Sequence, residues 1–96
     1  MLTQKQLEQK LNGLKPLLID RFKISQIGYF GSYATGSAND DSDIDILVDF
    51  TKPIGWDFFD LQDLLEVELQ KKVDLVSIKA LKEQLRESIL NQVHFV

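Results

Sequence analysis

The sequence predicts an α/β fold, a small mixed β-sheet packed with helices, and three observations carry that prediction. Three short segments, Ile24–Phe30, Asp43–Phe50 and Lys72–Ser77, are rich in strand-forming residues, and the first of them stops at Gly31-Ser32. Two longer segments space their leucines at helical intervals. The order strand–helix–strand from Asp43 to Ser77 favours a right-handed crossover joining two parallel strands. At 96 residues the chain reads as one domain, 1–96, with a single modest core.

The first helix is expected over Thr3–Phe22, where Leu7, Leu11, Leu14, Leu18 and Phe22 share one face. Thr3 and Gln6 have the form of a capping box. Gly13 and Pro16 interrupt the pattern, so a kink or a stop and restart is expected there. After the Ile24–Phe30 strand, Ser32–Ser42 is dense in Ser, Gly, Asn and Asp and reads as a loop, with room for one helical turn at its start. In Asp43–Phe50, alternation sends Asp43, Asp45, Leu47 and Asp49 to one side of a strand and Ile44, Ile46 and Val48 to the other. Asp57 then opens a helix burying Phe58, Leu61, Leu65 and Leu69, with Asp57 as N-cap and Asp60 a favourable charge in the first turn. Trp56, Phe58 and Phe59 are read as core and helix-entry packing. A final helix is expected over Lys79–Asn91, on the spacing of Leu81, Leu85 and Ile89.

Composition excludes several classes. No apolar run approaches the ~20 residues that cross a bilayer. The N-terminal stretch lacks the basic and apolar regions of a signal peptide, and there is no cysteine for disulfides or thiolate zinc, so a cytoplasmic setting is expected. A net charge of −4, from 11 basic and 15 acidic residues, argues against non-specific binding to nucleic acid.

The chemistry concentrates between Phe30 and Val48. Gly31 permits close backbone approach, and a turn after a strand leaves N–H groups pointing outward, which together with the Ser32 hydroxyl suit a phosphate chain. Asp43 and Asp45 lie two apart on one strand, so both carboxylates leave the same face about 7 Å apart at the Cα. Their oxygens can converge on one Mg²⁺, or hold two ions about 3.5–4 Å apart, as in-line phosphoryl displacement uses. Asp74 is the one polar interruption in Val73-Asp74-Leu75-Val76. If that strand adjoins the Asp43–Phe50 strand, Asp74 supplies a third carboxylate, able to complete a metal shell and help take a proton from an attacking hydroxyl.

Blander readings suit the neighbours. Asn39-Asp40-Asp41-Ser42 is read as a solvated turn, Lys71-Lys72 as a solvated helix end, and His94 as a non-catalytic residue near the chain end. Two other motifs fail. A calcium loop starting at Asp41 needs glycine and glutamate where Ile46 and Lys52 stand, and a P-loop starting at Gly31 needs lysine after Gly36, where Ser37 stands.

At Gly31-Ser32…Ser42-Asp43-Ile44-Asp45, the sequence resembles the polymerase-β-type nucleotidyltransferase superfamily, specifically its minimal members, over nearly the whole chain. The resemblance implies that superfamily's fold, with Gly31 and Ser32 at the nucleotide phosphates, Asp43 and Asp45 binding nucleotide and metal, and Asp74 as the third carboxylate. It implies Mg²⁺ as cofactor and a nucleoside triphosphate, typically ATP, as substrate. It also implies a small helical HEPN partner in a toxin–antitoxin pair, with AMP transferred to a partner tyrosine. One departure stands out: the family's Gly-Ser-x-Ala-Arg-Gly reads Gly31-Ser32-Tyr33-Ala34-Thr35-Gly36 here, so a cation near the phosphates is missing. Thr35 therefore favours a rival reading, a non-catalytic nucleotide-binding subunit that neutralises its partner by complex formation. A transferase acting on a small molecule is the other alternative.

Overall fold

In the computed structural model, which describes residues 2–96, helix α1 runs over Gln4–Phe22. Thr3 caps it as expected: its hydroxyl accepts from the Gln6 N–H at 3.1 Å, and the Gln6 side chain accepts from the Thr3 N–H at 2.9 Å. The helix does not stop and restart at Gly13 and Pro16; Pro16 lies inside one continuous element. A proline there costs about 3 kcal/mol through a missing N–H and a ring clash. On either side of it Leu7, Leu11, Leu18 and Phe22 are buried, at about 1.5–3 kcal/mol each, so packing outweighs the breaker.

Strand β1 (Ile24–Phe30) leads into a single helical turn, α2 (Ser32–Thr35), and a loop, followed by β2 (Ile44–Phe50). Helix α3 (Asp57–Leu69) crosses to β3 (Val73–Ser77). The sheet order is β3-β2-β1-β4, with β2 and β3 parallel, as the strand–helix–strand order predicts, and β1 antiparallel to β2. Ile27 and Tyr29 of β1, Ile44, Ile46 and Val48 of β2 and Val73 of β3 meet the α1 and α3 leucines in one core. Strand alternation leaves the opposite face of β2 to Asp45, Leu47 and Asp49. The core thus fixes which way the acidic residues point.

Three expectations change. Asp57 is not the N-cap of α3; Trp56 holds that position in helical geometry without a side-chain bond, while Asp57 and Asp60 both lie in the first turn, where negative charge meets the positive helix end. Trp56 and Phe59 are not in the core: they are 85% and 55% exposed, and only Phe58 packs inward, edge-on to Phe50. Successive helical residues turn by about 100°, so one of three neighbours can face the sheet. The expected final helix is broken into a 3₁₀ turn, Ile78–Ala80, and α4, Glu83–Gln92. Ile78 is buried against the sheet end, and Leu81 is extended, which separates the two pieces. Helix α4 buries none of its residues, since α1 and α3 already fill the core face.

A fourth strand, β4 (His94–Phe95), was not visible in the sequence. It pairs antiparallel with β1 through Gly28↔Phe95 and Tyr29↔His94. Gly28 makes this possible, because a Cβ there would fall 2.7 Å from the His94 carbonyl oxygen. The His94 ring stacks on Tyr29 with centroids 5.2 Å apart. Among the described residues no helix is long and apolar enough to cross a membrane.

Pro16 is exposed in mid-helix, so Pro16→Ala restores a backbone bond without disturbing the core. Urea unfolding is expected to show a stability gain of about 1–2 kcal/mol, the helical gain less the proline's restriction of the unfolded chain. A loss would mean that the ring itself makes a needed contact.

Candidate active site

The mixed sheet brings the predicted carboxylates to one edge. Asp43 immediately precedes β2, Asp45 is its second residue, and Asp74 is the second residue of β3. In the parallel register Asp45 and Asp74 are direct partners on neighbouring strands, whose spacing is about 4.8 Å. Asp43 and Asp74 are exposed and Asp45 is half-buried. Burial pushes the Asp45 carboxyl above the usual aspartate range, and the charges of Asp74 and then Asp43 push it further. All three predicted acids therefore share one electrostatic neighbourhood.

The glycine–serine turn sits on the same spot. Phe30, the last paired residue of β1, lies opposite Asp45, so the chain turns directly beside that carboxylate. Gly31 has φ 69°, and a side chain there would collide with Asp45 Oδ2. Both facts require glycine. The Gly31 carbonyl accepts from the Ala34 and Thr35 N–H groups at 3.0 and 3.1 Å and from Thr35 Oγ1 at 3.2 Å. Thr35, in the position where a cation was missed, thus braces the turn. Ser32 is half-buried, and its hydroxyl has no hydrogen-bond partner among the described residues.

One expectation about the turn needs correction. The Gly31 N–H does not point outward unpaired; it donates to Gln92 Oε1 at 2.8 Å. Gln92 belongs to the last residues of α4, 61 positions away, and nothing in a lone glutamine after a helical segment marks it as a neighbour of this turn. The Asn39–Ser42 loop is a turn, as expected, and it bonds to itself, with Asn39 Oδ1 accepting from the Asp41 N–H at 2.8 Å and Ser42 Oγ from the Asn39 N–H at 2.9 Å. Lys71 is more than a solvated helix end: its ammonium donates to the Asp40 carbonyl at 2.9 Å and ties the loop to the end of α3.

The donor set suits a hard divalent cation, since it offers carboxylate oxygens alone. Among the described residues no three such groups form a closed ligand set, so the three aspartates adjoin rather than converge. The Asp45 carboxyl is raised first by burial and then by the charges of Asp74 and Asp43, and a bound cation would offset the part due to those charges.

Comparison with known proteins identifies the family. The profile of the family described as polymerase beta, nucleotidyltransferase, matches residues 12–96. The protein adenylyltransferase MntA of Thermococcus cleftensis is 42% identical over 97 residues, covering 100% of this chain and 98% of the relative. A toxin–antitoxin crystal structure with AMP-PNP aligns at 30% identity and TM-score 0.74, over 88% of this chain and 69% of that one. A structure of a tri-AMPylated HEPN toxin of Shewanella oneidensis in complex with its MNT antitoxin aligns at 27% identity and TM-score 0.67, over 92% and 69% respectively.

Two outcomes follow from the site's geometry. Because Asp45 holds its proton to a higher pH than an unfolded aspartate, about 3.9, the native state binds more protons than the unfolded chain in the window above that value, and stability falls as pH rises through it. Asp45→Asn is therefore expected to raise the thermal midpoint at pH 7, with chelator present, and to lose that advantage near pH 3; an unchanged or lowered midpoint at pH 7 contradicts the crowding. Gly31→Ala should lower the midpoint by several degrees, a loss of about 1–3 kcal/mol from strained backbone and collision with Asp45. A midpoint equal to wild type would show that the turn and Asp45 are not in contact.

Proposed function

The chain belongs to the polymerase beta nucleotidyltransferase family, and from that premise we propose that it is a Mg²⁺-dependent protein adenylyltransferase. It moves AMP from ATP onto a hydroxyl, taken to be a tyrosine of a HEPN-type helical partner, and so acts as an antitoxin. The observation that carries this reading is the in-register pair Asp45 and Asp74 beside a turn that only glycine can make. The 42% identity to an adenylyltransferase over the full chain supports the reaction, and the AMP-PNP and AMPylated-toxin complexes support the nucleotide and the partner. We read residues 1–96 as a single catalytic domain, and its setting as the cytoplasm, where ATP is at hand.

In this reading Gly31 and Ser32 receive the triphosphate, with the Ser32 hydroxyl, unpartnered among the described residues, as donor and the side-chain-less Gly31 allowing close approach. Asp43, Asp45 and Asp74 would hold the metal, their adjoining carboxylates drawing together around it, and its charge would offset that of the triphosphate. Asp43 and Asp45 thereby bind nucleotide and metal together. Asp74, exposed at the edge of the sheet, faces the incoming acceptor and takes its hydroxyl proton. The acceptor oxygen forms a bond to the α-phosphorus, the bond from that phosphorus to the bridging oxygen breaks, and pyrophosphate leaves with the electron pair. Positioning of the two reactants supplies most of the rate.

β3 is an outer strand, so Asp74 stands at a border that a partner chain can reach. That placement favours a macromolecular acceptor over a small molecule. Incubation with ATP, Mg²⁺ and a HEPN-type partner is expected to add adenylyl groups to the partner, read by intact-mass spectrometry. Asp43→Asn should cut the rate by roughly 10²–10³-fold, the range for losing one charge-stabilising group. A stable complex without added mass, indifferent to Asp43→Asn, would establish the non-catalytic subunit instead.

A further inference from the structure

The Gly31 amide is held by a residue that neither the carboxylate triad nor the phosphate turn includes. Gln92 Oε1 accepts from the Gly31 N–H at 2.8 Å, across 61 residues. On the other side of the same residue, three donors converge on the Gly31 carbonyl, the N–H groups of Ala34 and Thr35 and the Thr35 hydroxyl. Gly31 is therefore clamped at both polar groups, which leaves its φ of 69° and its fit against Asp45 no slack.

What places Gln92 is the C-terminal segment rather than helix packing. Helix α4 buries no residue of its own. Its end is fixed instead by the pairing of His94 and Phe95 with Tyr29 and Gly28, and by the Val96 N–H donating to the Ile27 carbonyl at 3.0 Å. Lys15 Nζ adds a bond to the Val96 carbonyl at 2.9 Å, joining the segment to α1. Gln92 itself is half-buried, and its amide nitrogen reaches the Ser88 carbonyl at 3.5 Å. The bond to Gly31 is thus the point where a well-anchored strand meets the turn.

We propose that Gln92 is a positioning residue for the adenylyl-transfer site: its carboxamide holds the Gly31 amide and so sets the turn against Asp45. This rests on the adenylyltransferase reading for its consequence, but not for its geometry. A glutamine suits the task because it accepts the bond without adding charge beside three aspartates and a triphosphate. Its loss frees Gly31 to depart from the one conformation in which Ser32 and the carboxylates face the same phosphates. Small displacements of this kind are expensive in rate, because the reacting atoms must meet within a few tenths of an ångström.

The test uses the full chain and two readouts. Gln92→Met keeps the length and removes the acceptor; Gln92→Glu keeps the acceptor. In nucleotide-free protein, hydrogen exchange followed by NMR is expected to show the Gly31 amide exchanging about tenfold faster in Gln92→Met, the factor for one lost hydrogen bond, and near the wild-type rate in Gln92→Glu. The amides of Ile27 and Val48 should not change in either variant. With ATP, Mg²⁺ and partner, Gln92→Met should lower kcat about tenfold while the KM for the partner holds. Unchanged Gly31 exchange in Gln92→Met overturns the proposal, as does acceleration shared equally by Ile27 and Val48, which would mark a general structural role. Faster Gly31 exchange with undiminished kcat also overturns it. If the exchange pattern is as expected but wild type transfers nothing to any acceptor, the holding of Gly31 stands and the adenylyltransferase reading fails.

Discussion

Strand β2 bonds antiparallel to β1 on one side and parallel to β3 on the other, and the acidic edge exists because of that mixed pairing. An antiparallel neighbour delivers its C-terminal end to the start of β2, which puts the Gly31 turn over Asp45. A parallel neighbour delivers its N-terminal end to the same place, which puts Asp74 beside Asp45. Had both neighbours run the same way, either the turn or the third carboxylate would lie at the far end of the sheet. The α3 crossover is what makes the parallel arrangement reachable, since strands joined by a tight hairpin must be antiparallel.

Crowding three carboxylates works against the fold, and the structure sets that strain against a core on the other face. Ile44, Ile46 and Val48 alternate with the acids along β2 and are fully buried beneath α1 and α3. Shifting the strand by one residue would exchange the two sets, placing charge in the core and leucine-sized groups in water. The same hydrophobic contacts that stabilise the domain therefore hold Asp45 outward against its neighbours' repulsion. Sites of this kind trade stability for electrostatic poise, which is why the perturbed carboxyl belongs to the most buried of the three acids.

Much of this was legible because it depends on local chemistry. The period-two alternation of Asp43–Phe50 named both the strand and its polar face, and the leucine spacing named α1 and α3. The Thr3–Gln6 box was readable because its partners lie three residues apart. Trp56 and Phe59 misled for a related reason: aromatic character signals a preference for burial, but the helix had only one inward position to give, and Phe58 took it. Likewise the spacing of Leu81, Leu85 and Ile89 correctly indicated helix in part of its range, yet the face it defines has no core left to join.

By itself the sequence determined the α/β class, the three principal strands, the three aspartates and the glycine that must lie close to them, because each is encoded by a pattern within one segment. Only the tertiary structure decided that Asp74 pairs with Asp45, that β4 seals the edge of β1, and that Gln92 holds the Gly31 amide. Those are contacts between segments distant along the chain. A two-residue strand and a single glutamine have no periodicity to read, and their partners are selected by which backbone groups the folded sheet leaves unpaired.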